Sequence, residues 1–154
     1  MHEKTQAVVG VLAMLIVASV AANTLPVARV HAGDIIEFEG GWKTHLTGII
    51  VPSPRNPMGY QAFDFTKRRL EGKVVAVFTW TTDNTAAGIV SGDDGLPFAK
   101  IMYGKGLSID IAALLLEKGY ARVDDDHLPE GYEHYREIER EAREKRLGIW
   151  AKSG

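Results

Sequence analysis

Thr44-His45-Leu46-Thr47-Gly48-Ile49-Ile50-Val51-Pro52-Ser53-Pro54 decides how the rest of the chain is read. Its β-branched and apolar residues make a strand, and its prolines then break the strand into a loop. Pro52, Pro54 and Pro57 all fall between Val51 and Gly59, so irregular backbone is expected there. Working outward, Gly40-Gly41 is a hairpin signal. It joins a returning strand over residues 42–51 to an earlier one over 30–38, with Gly33 as a turn or bulge. Residues 60–71 read as a helix. Lys67, Arg68 and Arg69 suit its C-terminal dipole and Gly72 its cap.

The pattern continues with strands over residues 73–82, 85–90 and 97–103. Ser108 is placed to cap a helix over 109–118 that Gly119 ends. A short strand follows over 121–123. The last helix, over 130–146, carries opposite charges three or four residues apart, and Leu147, Ile149 and Trp150 would pin its end. Strands, helix, strands, helix, short strand and helix predict an α+β fold, mainly β. The architecture expected is a five-stranded barrel of the OB type with about three packed helices.

A chain of 154 residues suggests one domain, and the 45% hydrophobic content is ordinary for a globular protein. The absence of cysteine excludes disulfides and thiolate metal sites. The net charge is −2, and residues 30–154 carry 16 basic against 19 acidic side chains. A nucleic-acid binder usually presents a basic surface, so nucleic acid is not the partner this balance predicts.

Residues 5–28 contain no charged side chain, and residues 7–18 are almost wholly apolar. About 20 such residues span a bilayer as a helix. A cleaved signal peptide is the alternative, with Ser19-Val20-Ala21 as a small-x-small site. We expect an uncleaved transmembrane helix. Residues 1–29 then form the anchor and a linker containing Pro26, and residues 30–154 the globular domain. Lys4 favours the N-terminus inside, which puts the domain on the extracytoplasmic side, periplasmic or extracellular.

Several further stretches lie in an ordered series: Ala32-Gly33-Asp34-Ile35-Ile36, Gly59 to Thr66, Gly119-Tyr120-Ala121-Arg122-Val123, Tyr135 to Arg143 and Leu147-Gly148-Ile149-Trp150. With the opening stretch they resemble the staphylococcal nuclease (thermonuclease) family over roughly residues 30–150. The resemblance implies a catalytic set that can be carried over position by position. The first aspartate matches Asp34. The strand arginine falls on His45, which is cationic at neutral pH only if its surroundings raise its pKa. The second aspartate falls on Ile50, which cannot ligate a metal, and the general-base glutamate on Ser53. The second arginine falls at Pro97, and the nucleotide-contacting tyrosines near Asp125 and His127.

With one group in five retained, the expectation is a non-catalytic module, not an enzyme, with no cofactor and no metal site. Tethered to the bilayer through residues 5–28, it would stabilise a larger membrane protein complex, respiratory or photosynthetic complexes being candidate hosts. Trp42, Pro52, Pro54, Arg55, Pro57, Thr82 and Asp83 are the expected partner contacts, because prolines limit the entropy lost on binding. The alternative is a degenerate calcium-dependent nuclease built on Asp34. Asp83, Asp93, Asp94 and Asp124-Asp125-Asp126 lack EF-hand spacing and read as solvated turns. His127 and His134 do not make a zinc pair, and Lys67-Arg68-Arg69 reads as a solvated helix end.

Overall fold

The alternation around His45 builds a closed barrel. The computed structural model describes residues 23–79 and 90–151. Its elements are β1 (Asn23–Ala32), β2 (Ile35–Phe38), β3 (Lys43–Leu46), β4 (Ile49–Ile50), α1 (Pro57–Leu70), β5 (Val74–Thr79), β6 (Phe98–Tyr103), β7 (Ile109–Asp110), α2 (Ile111–Glu117), β8 (Arg122–Val123) and α3 (His134–Glu144). The sheet runs β3-β2-β1-β5-β6, and a parallel β3–β6 pairing closes it into five strands. Three short strands sit outside that ring. β7 pairs antiparallel with β6, and β4 with β8. Ile36, Phe38, Leu46, Val75, Val77, Ala99 and Ile101 fill the interior. The expected five-stranded OB-type barrel with three helices is therefore present.

β1 corrects the boundary drawn at the N-terminus. Residues 23–29, expected as a linker and the tail of a membrane span, are strand paired with both β2 and β5. Val27 is buried in the core. An uncharged run does not distinguish a bilayer from a barrel interior, since both favour apolar side chains. The remainder of the expected span, residues 5–22, lies outside the described residues. Among the described residues, no helix is long and apolar enough to cross a membrane. The expected return strand over 85–90 lies almost wholly outside the described residues, as does Trp80.

α1 begins earlier than the prolines suggested. Pro57 sits in its first turn, where a missing N–H costs nothing. The Asn56 side chain accepts from Met58 N at 2.9 Å and caps the helix. Buried Thr66 donates its hydroxyl to Gly33 O at 2.8 Å, fastening α1 to the β1–β2 turn. Gly33 itself lies so close to α1 that a Cβ there would come within 2.8 Å of Ala62 Cβ.

The cap of α2 is also corrected. Asp110, not Ser108, accepts from Ala112 N at 3.0 Å, while Ser108 donates back to Lys105 O. The other Asp110 oxygen accepts from Tyr135 Oη at 2.7 Å and lies 3.3 Å from Lys100 Nζ. Tyr135 is fully buried, so this one carboxylate joins α2, α3 and β6. Tyr135→Phe removes a hydrogen bond to a carboxylate, leaving Lys100 as the partner of that oxygen, and is expected to cost about 1–3 kcal/mol, read as a lower urea midpoint at unchanged slope. At the chain end Ile149 N donates to Gly119 O at 2.8 Å, and the Arg143 guanidinium lies over the Trp150 ring at 4.1 Å. Leu147, expected to help pin this end, is exposed instead.

Candidate active site

His45 stands at the centre of the site because of strand parity. In β3 the side chains of Thr44 and Leu46 are buried, so those of Lys43 and His45 emerge on the other face. Pro97 O fixes the strand by accepting from His45 N at 2.8 Å and from Thr44 Oγ1 at 2.7 Å. Three elements then bring acids and rings to the imidazole.

The β1–β2 turn supplies Asp34. Its Oδ2 lies 3.3 Å from His45 Nδ1, and both side chains are only 17% exposed. The loop before β6 supplies Asp94. Its Oδ1 accepts from Leu96 N at 3.0 Å, and its Oδ2 lies 2.8 Å from His45 Nε2. The segment after β8 supplies Asp124 and His127, whose Nδ1 lies 2.8 Å from Asp124 Oδ2. Asp124 is buried, and its Oδ1 accepts from Asp126 N. Phe98 sits between the two histidines, with ring centroids at 5.6 Å from His45 and 4.7 Å from His127.

These side chains line one cleft of about 320 Å³, together with Ile49, Ile50, Gly92 and Asp93. An apolar hollow of about 330 Å³ adjoins it through the shared Phe98 and His127. Bonding to Asp34, and then to Asp94, outweighs desolvation and lifts His45 from 6.5 to about 8. The imidazole is therefore cationic at neutral pH. Asp94 is held below its usual range, first by the Leu96 amide and then by His45.

The raised pKa sets a stability prediction. A group whose folded pKa exceeds its unfolded value stabilises fully below the unfolded value, near 6.5. That contribution is lost as pH rises through about 8. It is on the order of 1–2 kcal/mol for a largely covered pair. Urea unfolding at pH 6 and pH 9 should show wild type losing that much more than His45→Gln does. Equal losses would mean that the pairing is not formed in solution.

Of the sequence-derived positions, Asp34, His45 and Ile50 meet at the cleft. Ser53 does not line it; it is exposed on the loop before α1, its Oγ accepting from Arg55 N at 3.3 Å. Pro97 acts through its carbonyl alone. Asp125 pairs with Arg136 at 2.9 Å, and His134 packs against Tyr132 and Tyr135. The basic run on α1 is occupied: Lys67 lies 3.8 Å from Glu71, Arg68 pairs with Asp64, and Arg69 covers the Phe65 ring. Among the expected partner contacts, Trp42 is 37% exposed and stacks on Phe38. Pro52, Pro54 and Arg55 lie in the loop before α1, whereas Pro57 belongs to the helix. Thr82 and Asp83 lie outside the described residues.

Asp94 and the Asp124–His127 dyad were not read from the sequence as site residues. The dyad has a local signal, an acid and a histidine three apart. Asp94 has none, being 49 residues from its partner.

A calcium ion held as the family resemblance implies does not fit these donors. One Asp34 oxygen is committed to His45, and Ile50 offers no donor atom. Among the described residues, no three His, Asp or Glu side chains are grouped to hold a metal ion.

No curated protein matches the chain. A sequence model of one protein family, described as staphylococcal nuclease homologue, matches residues 43–152. That match corrects the expectation that the chain is not an enzyme, because members of the family are nucleases. His45, which that expectation treated as a lost cation, has its pKa raised to about 8 by Asp34 and Asp94.

Proposed function

Because the chain belongs to the staphylococcal nuclease family, we propose that it cleaves phosphodiester bonds of nucleic acid in the cleft around His45. The observation that carries this reading is the cationic imidazole on β3, where the resemblance places an arginine, beside the retained Asp34. A fixed cation stabilises charge that develops on a phosphate in the transition state. Asp34 holds the imidazole in orientation and keeps it protonated. Asp94, 48% exposed on its loop, is the partner a phosphate oxygen can displace. No step is assigned to calcium, because the donor set does not fit it. Asp93, Asp94 and Asp124 make the cleft acidic, so binding of a polyanion is expected to be weak.

The test is cleavage of single-stranded oligonucleotides by the full chain, with Asp34→Ala purified in parallel. Loss in the variant supports the site. Activity that survives the substitution places the chemistry elsewhere.

We also propose that residues 5–22 tether the domain to a bilayer, with the barrel on the extracytoplasmic side. The uncharged apolar run supports this reading. Alkaline extraction of membranes checks it: a tethered chain stays in the pellet, and release into the wash would contradict the tether.

A further inference from the structure

We propose that the cleft cuts RNA by attack of the ribose 2′-hydroxyl on the adjacent phosphorus, with His127 as general base and His45 as general acid. This rests on the phosphodiester reading above and names its substrate and mechanism. Two observations lead to it. First, among the described residues the cleft has no metal site to activate a water, which leaves that need to a side-chain base. The donors do not fit a metal, Ile50 is apolar, and Ser53 lies outside. A nucleophile carried by the substrate removes that need, and its attack is intramolecular.

Second, the cleft holds two histidines with complementary partners. His127 Nδ1 is bonded to buried Asp124, whose backbone N–H is in turn fixed on Gly48 O at 2.9 Å. In the neutral ring that partner assigns the proton to Nδ1, so Nε2 is the nitrogen that can accept a proton. His45 is bonded to a carboxylate at each nitrogen, the form an acid needs. Both rings pack on Phe98 and line the same cleft of about 320 Å³. The ionisable groups facing His45 are Asp34, Asp93, Asp94, Asp124 and His127, which together line this cleft.

The step balances without a further reactant. The O2′ proton passes to His127 Nε2 as the O2′–P bond forms. The P–O5′ bond breaks, and the His45 Nε2 proton passes to O5′ as Asp94 gives way. The products are a 2′,3′-cyclic phosphate and a 5′-hydroxyl end. Asp124 and Asp34 are positioning residues that hold the two rings.

The experiment uses the full chain in mild detergent and a DNA oligonucleotide carrying one ribonucleotide, with EDTA present. The result expected is a single cut at the ribonucleotide, with a cyclic phosphate identified by mass. His127→Gln should be slowed about 10²- to 10⁴-fold, the usual weight of one acid–base group. Asp124→Asn should shift the pH–rate profile while leaving the fold intact by circular dichroism. Cutting at deoxyribonucleotides, or loss of cutting in EDTA, would overturn this inference and leave the phosphodiester reading standing. An uncut substrate, with all-DNA and all-RNA strands also uncut in calcium, would overturn both.

Discussion

His45→Gln is expected to lower oligonucleotide cleavage at pH 7 by about 10²-fold or more, the scale of a lost acid–base or charge-stabilising group. Glutamine keeps a hydrogen-bonding amide near Asp34 and Asp94 but carries no charge. The substitution therefore separates the charge of the site from its shape. A matched fall in kcat and kcat/KM is the signature of a contact made in the transition state. A rise in KM with kcat unchanged would show that His45 only binds. The stability of the variant guards the interpretation. It should match wild type at pH 9 and fall short of it at pH 6, because only the protonated imidazole gains from its partners.

The second large effect concerns the scaffold. Gly59 lies in the first turns of α1, against the proline loop. A Cβ there would stand 1.9 Å from Ser53 O and 2.5 Å from Pro52 O. Both obstacles are backbone, so no side-chain rotation relieves them. Either α1 or the loop must move, and α1 also holds the Asp34 turn through Thr66. Gly59→Val is expected to cost about 3 kcal/mol or more, the upper range for overpacking. For a domain of this size that is a fall in Tm of roughly 10 °C. Cleavage should suffer too, as the Asp34 turn loses its support. A shift under about 1 °C would mean that the loop is not seated on the helix.

The physics of each element explains how much was legible. Strand parity and glycine turns are local, so β2, β3, β5, β6 and the three helices could be read directly. Asp110 and Ser108 are both good caps two residues apart, and the choice between them was made by Tyr135 and Lys100 from distant elements. β1 was hidden because residues 23–28 continue an uncharged run, and only pairing with β2 and β5 marks them as strand. Pro57 looked like a breaker because it follows Pro52 and Pro54 closely, yet the first helical turn tolerates it. The site was half visible. Asp34 and His45 could be named, but the ionisation of His45 depends on Asp34 and then on Asp94, and the Asp94 contact is one no local pattern announces.

Phosphodiester cleavage carried by a cationic His45 must follow the protonation of that side chain. The most direct measurement is the rate of cleavage of a single-stranded RNA oligonucleotide by the full chain between pH 7 and pH 9.5. Activity is expected at pH 7 and falls as pH rises through about 8, in step with loss of the His45 proton. A rate that stays level or rises to pH 9.5, or no cleavage at any pH, would contradict it.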